Sequence, residues 1–470
     1  MTGELSTGTA TRHRASRRLV AVALGAAVTL VVAAAPAAAH GVGGRTDLPV
    51  PGWQLAWAAG FAVASSFVAL GAFWTTPKLV AAATGIELGA PIQKVRRAAL
   101  PLVRLVVLGV FGVVWYAAAF GNADPAVNIA PTAIFITFWV GMQIVSVVLG
   151  DVWDEINPVA TLADAVATAW SRVRGRPVPA DTGTSYWPAV VAIFSFAWME
   201  LAYHGGADPR ALAVWLTTYV AVMVGGTLWR GRGWVRRADG FAVLFALLGS
   251  LSPLYRKDGR LRVRAPLAGV AAVEARPGTR AFVLTVLGTT TFDGFTRSSI
   301  WKDVIANRGG WDATVVKTIG MVAVVLVVSA LYQAAMHLVG RVTGESPVML
   351  ADRFAPTLVP IVFAYAIAHY FSLFVLEGQA VFILASDPFG RGWDLWGTVD
   401  WTVDYRLIAT GTIAWIQTVA IAVGHVLGVA AAHDLAVGRY GHRLAVRSQY
   451  PMLAVMIAYT VIGLLLLLGV

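Results

Sequence analysis

The chain has 470 residues, of which 58% are hydrophobic and 13% are charged. A soluble domain usually carries about a quarter of charged residues, so this composition argues against a water-facing globular protein. The absence of cysteine excludes a disulfide scaffold, a thiolate zinc site and a cysteine nucleophile. The formal net charge is +11, but the Lys and Arg residues form short clusters between apolar runs, which indicates membrane topology rather than nucleic-acid binding.

The N-terminus has the three parts of a secretory signal peptide. A basic region at residues 12–18 precedes an apolar stretch at 19–35, and Ala37-Ala38-Ala39 supplies an A-x-A cleavage site. Residues 1–39 are therefore predicted to be removed, which leaves His40 as the mature N-terminus outside the plasma membrane. The alternative is an uncleaved first helix.

Apolar runs separated by polar segments follow along the rest of the chain. A helix needs about 20 apolar residues to cross a bilayer, and these runs are close to that length. Residues 40–470 are thus predicted to form one membrane-embedded domain, an all-α polytopic transmembrane helix bundle with about ten spans. The predicted spans are residues 53–75, 100–120, 131–150, 186–204, 210–229, 279–295, 314–339, 355–376, 405–432 and 450–469.

The basic clusters predict which loops face the cytoplasm, because cytoplasmic loops carry an excess of Lys and Arg. With His40 outside, the basic loops fall inside, and the two long loops at 296–313 and 377–404 fall outside. The predicted inner loops are residues 76–99, 151–185, 230–237, 340–354 and 433–449.

One apolar segment does not fit this alternation. Residues 239–254 form a run of only about 15 residues, and basic residues flank both of its ends. A run of this length more often re-enters the membrane or is buried than spans it. We therefore predict a short re-entrant segment at 239–254, followed by a small cytoplasmic insert with hairpin-like alternation at 255–278.

Several ionisable residues fall inside or at the end of predicted spans, where they are costly and mark functional sites. The predicted topology places all of them in the outer half of the membrane or at its outer edge. This shared depth predicts a polar cavity open to the outside, which receives a small-molecule substrate or a cation. The candidate catalytic residues are Glu200, His204, Asp293, His369 and Glu377.

The spacing of these residues also suits a metal. Glu200 and His204 are four residues apart, which places them on one face of a helix and suits either one divalent metal or a base with its orienting partner. His40 offers an amine and an imidazole nitrogen, and nitrogen ligands suit zinc and copper; the alternative is that signal peptidase reads only the alanines. The candidate metal ligands are His40, His204, His369 and His425.

Two polar loops each have two interpretations. The acidic segment 151–158 suits either a bound cation or an acidic turn at a helix N-terminus, and we favour the acidic turn. The outer loop 377–404 holds Trp393, Trp396 and Trp401. These tryptophans form either an interfacial aromatic belt, which we favour, or a cap that stacks on an aromatic substrate.

Seven short motifs, taken as a set, resemble a known family. They begin at Ala39 (AHGVGGRTDLP), Gly150 (GDVW, followed by Asn157-Pro), Thr291 (TFDGF), Ala368 (AHYFSL), Ser386 (SDPFGRGWDL), Gly424 (GHVLG) and Arg447 (RSQYPM). The set resembles a bacterial, largely actinobacterial, family of polytopic membrane proteins labelled fenitrothion hydrolase. The resemblance runs from about residue 39 to the C-terminus, and it carries over no active-site residue.

Three functions remain open from the sequence. The resemblance implies hydrolysis of an organophosphate triester at phosphorus, for which Glu200, His204 and His369 would hold a metal or a general base while Asp293 or Glu377 assists. A transporter or copper-handling protein would instead admit a cation from outside through its histidines. A binding or assembly subunit would have no chemistry.

Overall fold

The computed structural model describes residues 51–468, so the predictions for the signal peptide and for His40 lie outside the described residues. The described part is mostly helical and has only three short strands, which confirms the predicted all-α bundle. Its first helices are α1 (Gly52–Phe73), α2 (Ala90–Phe120), α3 (Ile129–Leu149), α4 (Pro158–Arg174), α5 (Trp187–Leu201) and α6 (Pro209–Arg230). The later ones are α7 (Gly240–Gly249), α8 (Thr279–Thr296), α9 (Gly310–Thr343), α10 (Pro347–Val375), α11 (Thr410–Tyr440) and α12 (His442–Leu468).

Eight helices of residues 51–468 are long and apolar enough to cross a membrane, namely α1, α2, α3, α6, α9, α10, α11 and α12. The other two predicted spans are the 15-residue α5 and the 18-residue α8. The segment predicted to re-enter contains the 10-residue α7. At 1.5 Å per residue α7 measures about 15 Å, half of the hydrocarbon core, so it does not cross.

Two of the long helices are not regular throughout. The π-helical stretch Ala133–Phe138 interrupts α3, and the 3-10 turn Ala355–Leu358 interrupts α10. The remaining short helices lie in the connections between the long ones. They are Leu79–Ala82, Trp153–Ile156, Trp234–Ala238, Ser299–Ile305 and Ala380–Leu384, with 3-10 turns at Ala268–Ala272 and Glu377–Gln379.

An antiparallel hairpin lies where the sequence predicts one. Its strands are β2 (Leu254–Lys257) and β3 (Arg260–Val263), and the turn between them is Asp258-Gly259, both with positive φ. Asp-Gly is a preferred two-residue hairpin turn because such turns require positive φ. A third strand that the sequence did not predict, β1 (Ile86–Glu87), pairs with β3 and joins the insert to the start of α2.

A single cysteine in this hairpin would test the predicted orientation. Because the chain has no native cysteine, Asp258→Cys introduces one labelling site at an exposed turn. We expect a membrane-impermeant maleimide to label it only after cell lysis, while Leu395→Cys in the predicted outer loop is labelled in intact cells. Labelling of the Asp258→Cys variant in intact cells would show that the insert faces the outside, contrary to the prediction.

Arginines neutralise the acidic segment that begins at Asp151. Asp154 pairs with Arg236 at 2.9 Å and also with Arg256, and Glu155 pairs with Arg96 and Arg256. Asp154 and Glu155 also lie in the first turn of the short helix Trp153–Ile156. Their placement therefore agrees with the acidic-turn interpretation, since both carboxylates already have cationic partners.

A second ion-pair cluster lies between the C-terminal ends of α9 and α11. Glu345 pairs with Arg353 at 2.7 Å and with Arg439 at 3.2 Å. The Arg353 guanidinium holds the pKa of Glu345 at about 2. The carboxylate is therefore charged throughout the physiological pH range and ties α10 and α11 together at this end of the bundle.

The helix core contains close approaches that only glycine allows. A Cβ on Gly424 would lie 2.1 Å from the Cβ of Ala364, and one on Gly463 would lie 2.0 Å from the Tyr365 hydroxyl. Small residues let membrane helices approach until their backbones nearly touch. The prediction that the glycines around His425 permit close packing is confirmed for α11 against α10.

Candidate functional site

The centre of the candidate site is a carboxylate and a histidine from two packed helices. Asp293 lies one turn before the end of α8, and His369 lies in the second half of α10. Asp293 Oδ2 is 3.3 Å from His369 Nδ1, and the two side chains are 15% and 2% exposed. A Cβ on Gly294 would lie 2.9 Å from His369 Cε1, so the glycine after Asp293 makes room for the ring.

A second carboxylate joins this pair from a third helix. Glu200 lies at the end of α5, which packs against α8, and its carboxylate interacts electrostatically with Asp293 and with the Tyr370 hydroxyl. The Tyr370 hydroxyl lies between Glu200 and Trp139, although Trp139 Nε1 makes no hydrogen bond of good geometry. We call Glu200, Asp293, His369 and Tyr370 the carboxylate–histidine cluster.

One positive charge borders the cluster. Arg297 follows Asp293 by one helical turn, and its guanidinium is 3.9 Å from the carboxylate. That distance gives an ion pair at the limit of contact, and the arginine is about half exposed. The cluster therefore contains two carboxylates, one imidazole and one phenol, with a half-exposed cation at its rim. Such a group can bind, share and pass on a proton.

His204 is not part of the cluster. Helix α5 ends at Leu201, so the prediction that Glu200 and His204 share a helix face is wrong. The His204 backbone N and Nδ1 lie 3.0 and 2.9 Å from Thr314 Oγ1, and its ring lies 5.2 Å from that of Trp311. Helix α5 ends one residue after Glu200, so His204 lies in the turn that follows, next to the start of α9.

Glu377 lies beyond the end of α10 and faces the outer loop instead of the cluster. Its Oε1 accepts a hydrogen bond of 3.0 Å from the Tyr405 hydroxyl. In the same loop, Trp393, Trp396 and Trp401 are 40%, 72% and 60% exposed. This exposure agrees with the aromatic-belt interpretation of the tryptophans.

His425 lies deeper along the bundle, on α11, and is completely buried. Its ring is 6.0 Å from Tyr365 and 6.2 Å from Tyr459. The next histidine of α11 has a structural role, since His433 Nε2 is 3.0 Å from the Trp74 carbonyl oxygen and the neighbouring Asp434 accepts 2.9 Å from Trp74 Nε1. These two contacts hold Trp74, the residue that follows α1, against α11.

The described residues contain no group of three His, Cys, Asp or Glu side chains that is able to hold a metal ion. His204, His369 and His425 face different partners, namely Thr314, Asp293 and the Ile421 carbonyl, so the structure does not bring these three predicted ligands together. The fourth predicted ligand, His40, lies outside the described range. His204 lies against Thr314, so the structure does not bring it together with Glu200 and His369, and the metal or general base predicted for these three residues stays a prediction.

Sequence reasoning placed three cluster members at one depth but missed Tyr370 and Trp139. Both are aromatic residues inside spans, which more often pack than react, and only the fold places them beside Glu200. Their rings are 6.4 Å apart. Trp139 follows directly after the π-helical stretch of α3, and π-helical turns are frequent at functional sites.

In comparisons with known proteins, no family model, curated protein or solved structure matches the chain.

Proposed function

We propose that the chain is a multi-pass protein of the plasma membrane that binds protons from the outer side and couples them to the movement of a small solute or cation. The observation that carries this proposal is the buried contact of Asp293 with His369. Glu200, on the adjoining α5, adds a second carboxylate that interacts electrostatically with Asp293. Ionisable groups buried among membrane helices mark proton relays and ion pathways. Two neighbouring carboxylates repel when both are charged, so such a pair binds a proton readily.

The helices around the cluster support the same proposal. Transporters place their sites at discontinuous or unusually short helices. Helix α5 has only 15 residues and ends beside Glu200. The neighbouring α3 contains a π-helical stretch, and α10 contains a 3-10 turn. The cluster thus includes the short α5 and the interrupted α10, and the irregular α3 lies next to it.

A second candidate is the phosphotriester hydrolysis that the family resemblance implies. The placement of Asp293 3.3 Å from His369 Nδ1 favours it, because a general-base histidine is commonly held beside a carboxylate, although Nδ1 makes no hydrogen bond of good geometry here. In this reaction His369 would take a proton from water, the water oxygen would attack phosphorus, and a nitrophenolate would leave.

Two measurements on purified protein separate the candidates. The first is the charge movement after a pH jump on protein-loaded supported membranes, combined with infrared difference spectra of protonated carboxyl groups. The second is nitrophenol release from paraoxon. We expect a transient current and a carboxyl band that Glu200→Gln weakens, with no nitrophenol release. Nitrophenol release that His369→Ala abolishes would establish the hydrolase, and absence of all three signals would reject both candidates.

Metal analysis tests the remaining alternative of a copper or zinc protein. We expect the metal content of purified protein to be the same in wild type and in His369→Ala and His425→Ala, because neither histidine has the two further ligands that such a site needs. A loss of one equivalent of zinc or copper in either variant would contradict this. Plasma emission spectrometry after dialysis gives the measurement.

A further inference from the structure

A small cavity lies in the middle of the bundle, between α8, α9, α10, α11 and α12. Its volume is about 40 Å³, and its wall is mostly Leu, Ile, Val and Met. The residues on the wall that carry polar side chains are Tyr332, His425 and Tyr459. No carboxylate and no basic residue other than the histidine lines the cavity in the described part of the chain.

The hydrogen bond on the other side of the His425 ring determines which nitrogen carries the proton. Nδ1 is 2.8 Å from the carbonyl oxygen of Ile421, one turn earlier on α11. A carbonyl oxygen only accepts, so Nδ1 carries the hydrogen and Nε2 of the neutral ring presents a lone pair. Nε2 is fully buried and has no hydrogen-bond partner among residues 51–468.

A buried acceptor without a partner is rare in folded proteins and indicates an ordered water or another bound donor. A water molecule needs about 10–15 Å³ of cavity volume of this kind, so the cavity has room for one to three. The Tyr332 hydroxyl donates to the Ala351 carbonyl at 2.8 Å and keeps lone pairs of its own. The surface of the cavity is otherwise almost entirely apolar, so Nε2 of His425 is the group that would hold such a water.

The cavity lies between the carboxylate–histidine cluster and the opposite end of the bundle. On the cluster side, the Tyr365 ring is stacked on His369 at 6.1 Å, and the Tyr365 hydroxyl donates to the Tyr459 carbonyl at 3.1 Å. On the other side, Asp352 and Thr357 line a second cavity of about 360 Å³, next to the residue that Tyr332 bonds.

We propose that the central cavity holds a water molecule that donates to Nε2 of His425. We further propose that His425 and this water relay protons between the carboxylate–histidine cluster and the inner cavity, the name used here for the second cavity, which Asp352 and Thr357 line. The relay rests on the proposed function, whereas the bound water does not. In one cycle Nε2 accepts a proton through water from the cluster side and releases it to water on the inner side. Nδ1 keeps its proton and its bond to Ile421, so the ring ends unchanged.

Solid-state NMR of ¹⁵N-histidine protein in bilayers tests the bound water directly. The signal of His425 among the eight histidines is assigned by its loss in His425→Gln. We expect Nε2 of His425 to show the shift of a hydrogen-bonded acceptor and to receive magnetisation from water. A shift typical of a free lone pair, with no transfer from water, would show a dry cavity and overturn the proposal.

The pH-jump current tests the relay, with His337→Leu as a matched control. His337 Nδ1 also faces a carbonyl one turn earlier, that of Gln333 at 3.1 Å, but His337 does not line the cavity. We expect His425→Leu to lower the transient pH-jump current about tenfold or more while the infrared carboxyl band of the cluster remains, and His337→Leu to behave as wild type.

The outcomes of these experiments distinguish the two proposals. Full current in a folded His425→Leu variant would overturn the relay and leave the cluster as the proton site. If the wild type shows neither current nor carboxyl band, both the proposed function and the relay are rejected. The NMR result would still show whether the cavity holds a bound water. Elution as a single peak in size-exclusion chromatography checks that each variant is folded.

Discussion

Gly424→Ala is expected to destabilise the protein by about 2–3 kcal/mol, in the upper range for overpacking a tight core. The added methyl group would lie 2.1 Å from the Cβ of Ala364 and 3.0 Å from the Pro360 carbonyl oxygen. Neither atom belongs to a flexible side chain, so α10 and α11 would have to move apart. The midpoint of unfolding by SDS, followed by tryptophan fluorescence in detergent, measures the effect.

Gly109→Ala is the matched control for this prediction. Gly109 also lies inside a long helix, α2, but a Cβ there would meet nothing within 4 Å. Alanine has the higher intrinsic helix propensity, so we expect an unchanged or slightly higher midpoint. Equal midpoints for the two variants would mean that α10 and α11 do not approach each other at Gly424.

The length and charge patterns of the sequence were sufficient to predict the fold class. Runs of about 20 apolar residues predict membrane-spanning helices, because inside a bilayer the backbone must satisfy its hydrogen bonds within each span. The short segment containing α7 was also recognised from its length. Strand β1 was missed because two residues, Ile86 and Glu87, carry no periodic signal, and their pairing depends on a strand more than 170 residues later in the chain.

The candidate site was predicted less completely, for a physical reason. Depth in the membrane follows from position along a span, so Glu200, Asp293 and His369 were grouped together, and the structure places Asp293 beside His369. Side-chain direction depends on where each helix ends and how it packs. The end of α5 at Leu201 removed His204 from the group, and only the packing of α10 beside α3 placed Tyr370 near Trp139.

Asp293→Asn is expected to abolish most of the proton-dependent charge movement, a loss of about a hundredfold. The amide has nearly the same shape as the carboxylate, so it fits between His369 and Arg297 but binds no proton. It also removes the negative charge that faces His369 Nδ1 at 3.3 Å. The measurement is the pH-jump current per folded molecule, with the infrared carboxyl band recorded on the same sample.

Glu377→Gln separates the cluster from a general effect of outer carboxylates. Glu377 follows α10 by two residues on the predicted outer side, yet it bonds Tyr405 in the loop and makes no contact with the cluster. We expect its current to stay within about twofold of wild type, since rim charges alter local concentration more than chemistry. Equal losses in the Glu377 and Asp293 variants would locate the proton pathway in the outer loop, and equal retention would exclude Asp293 as a proton site. The contrast between the two carboxylates therefore tests whether burial beside His369, rather than negative charge at the outer surface, gives this membrane protein its chemistry.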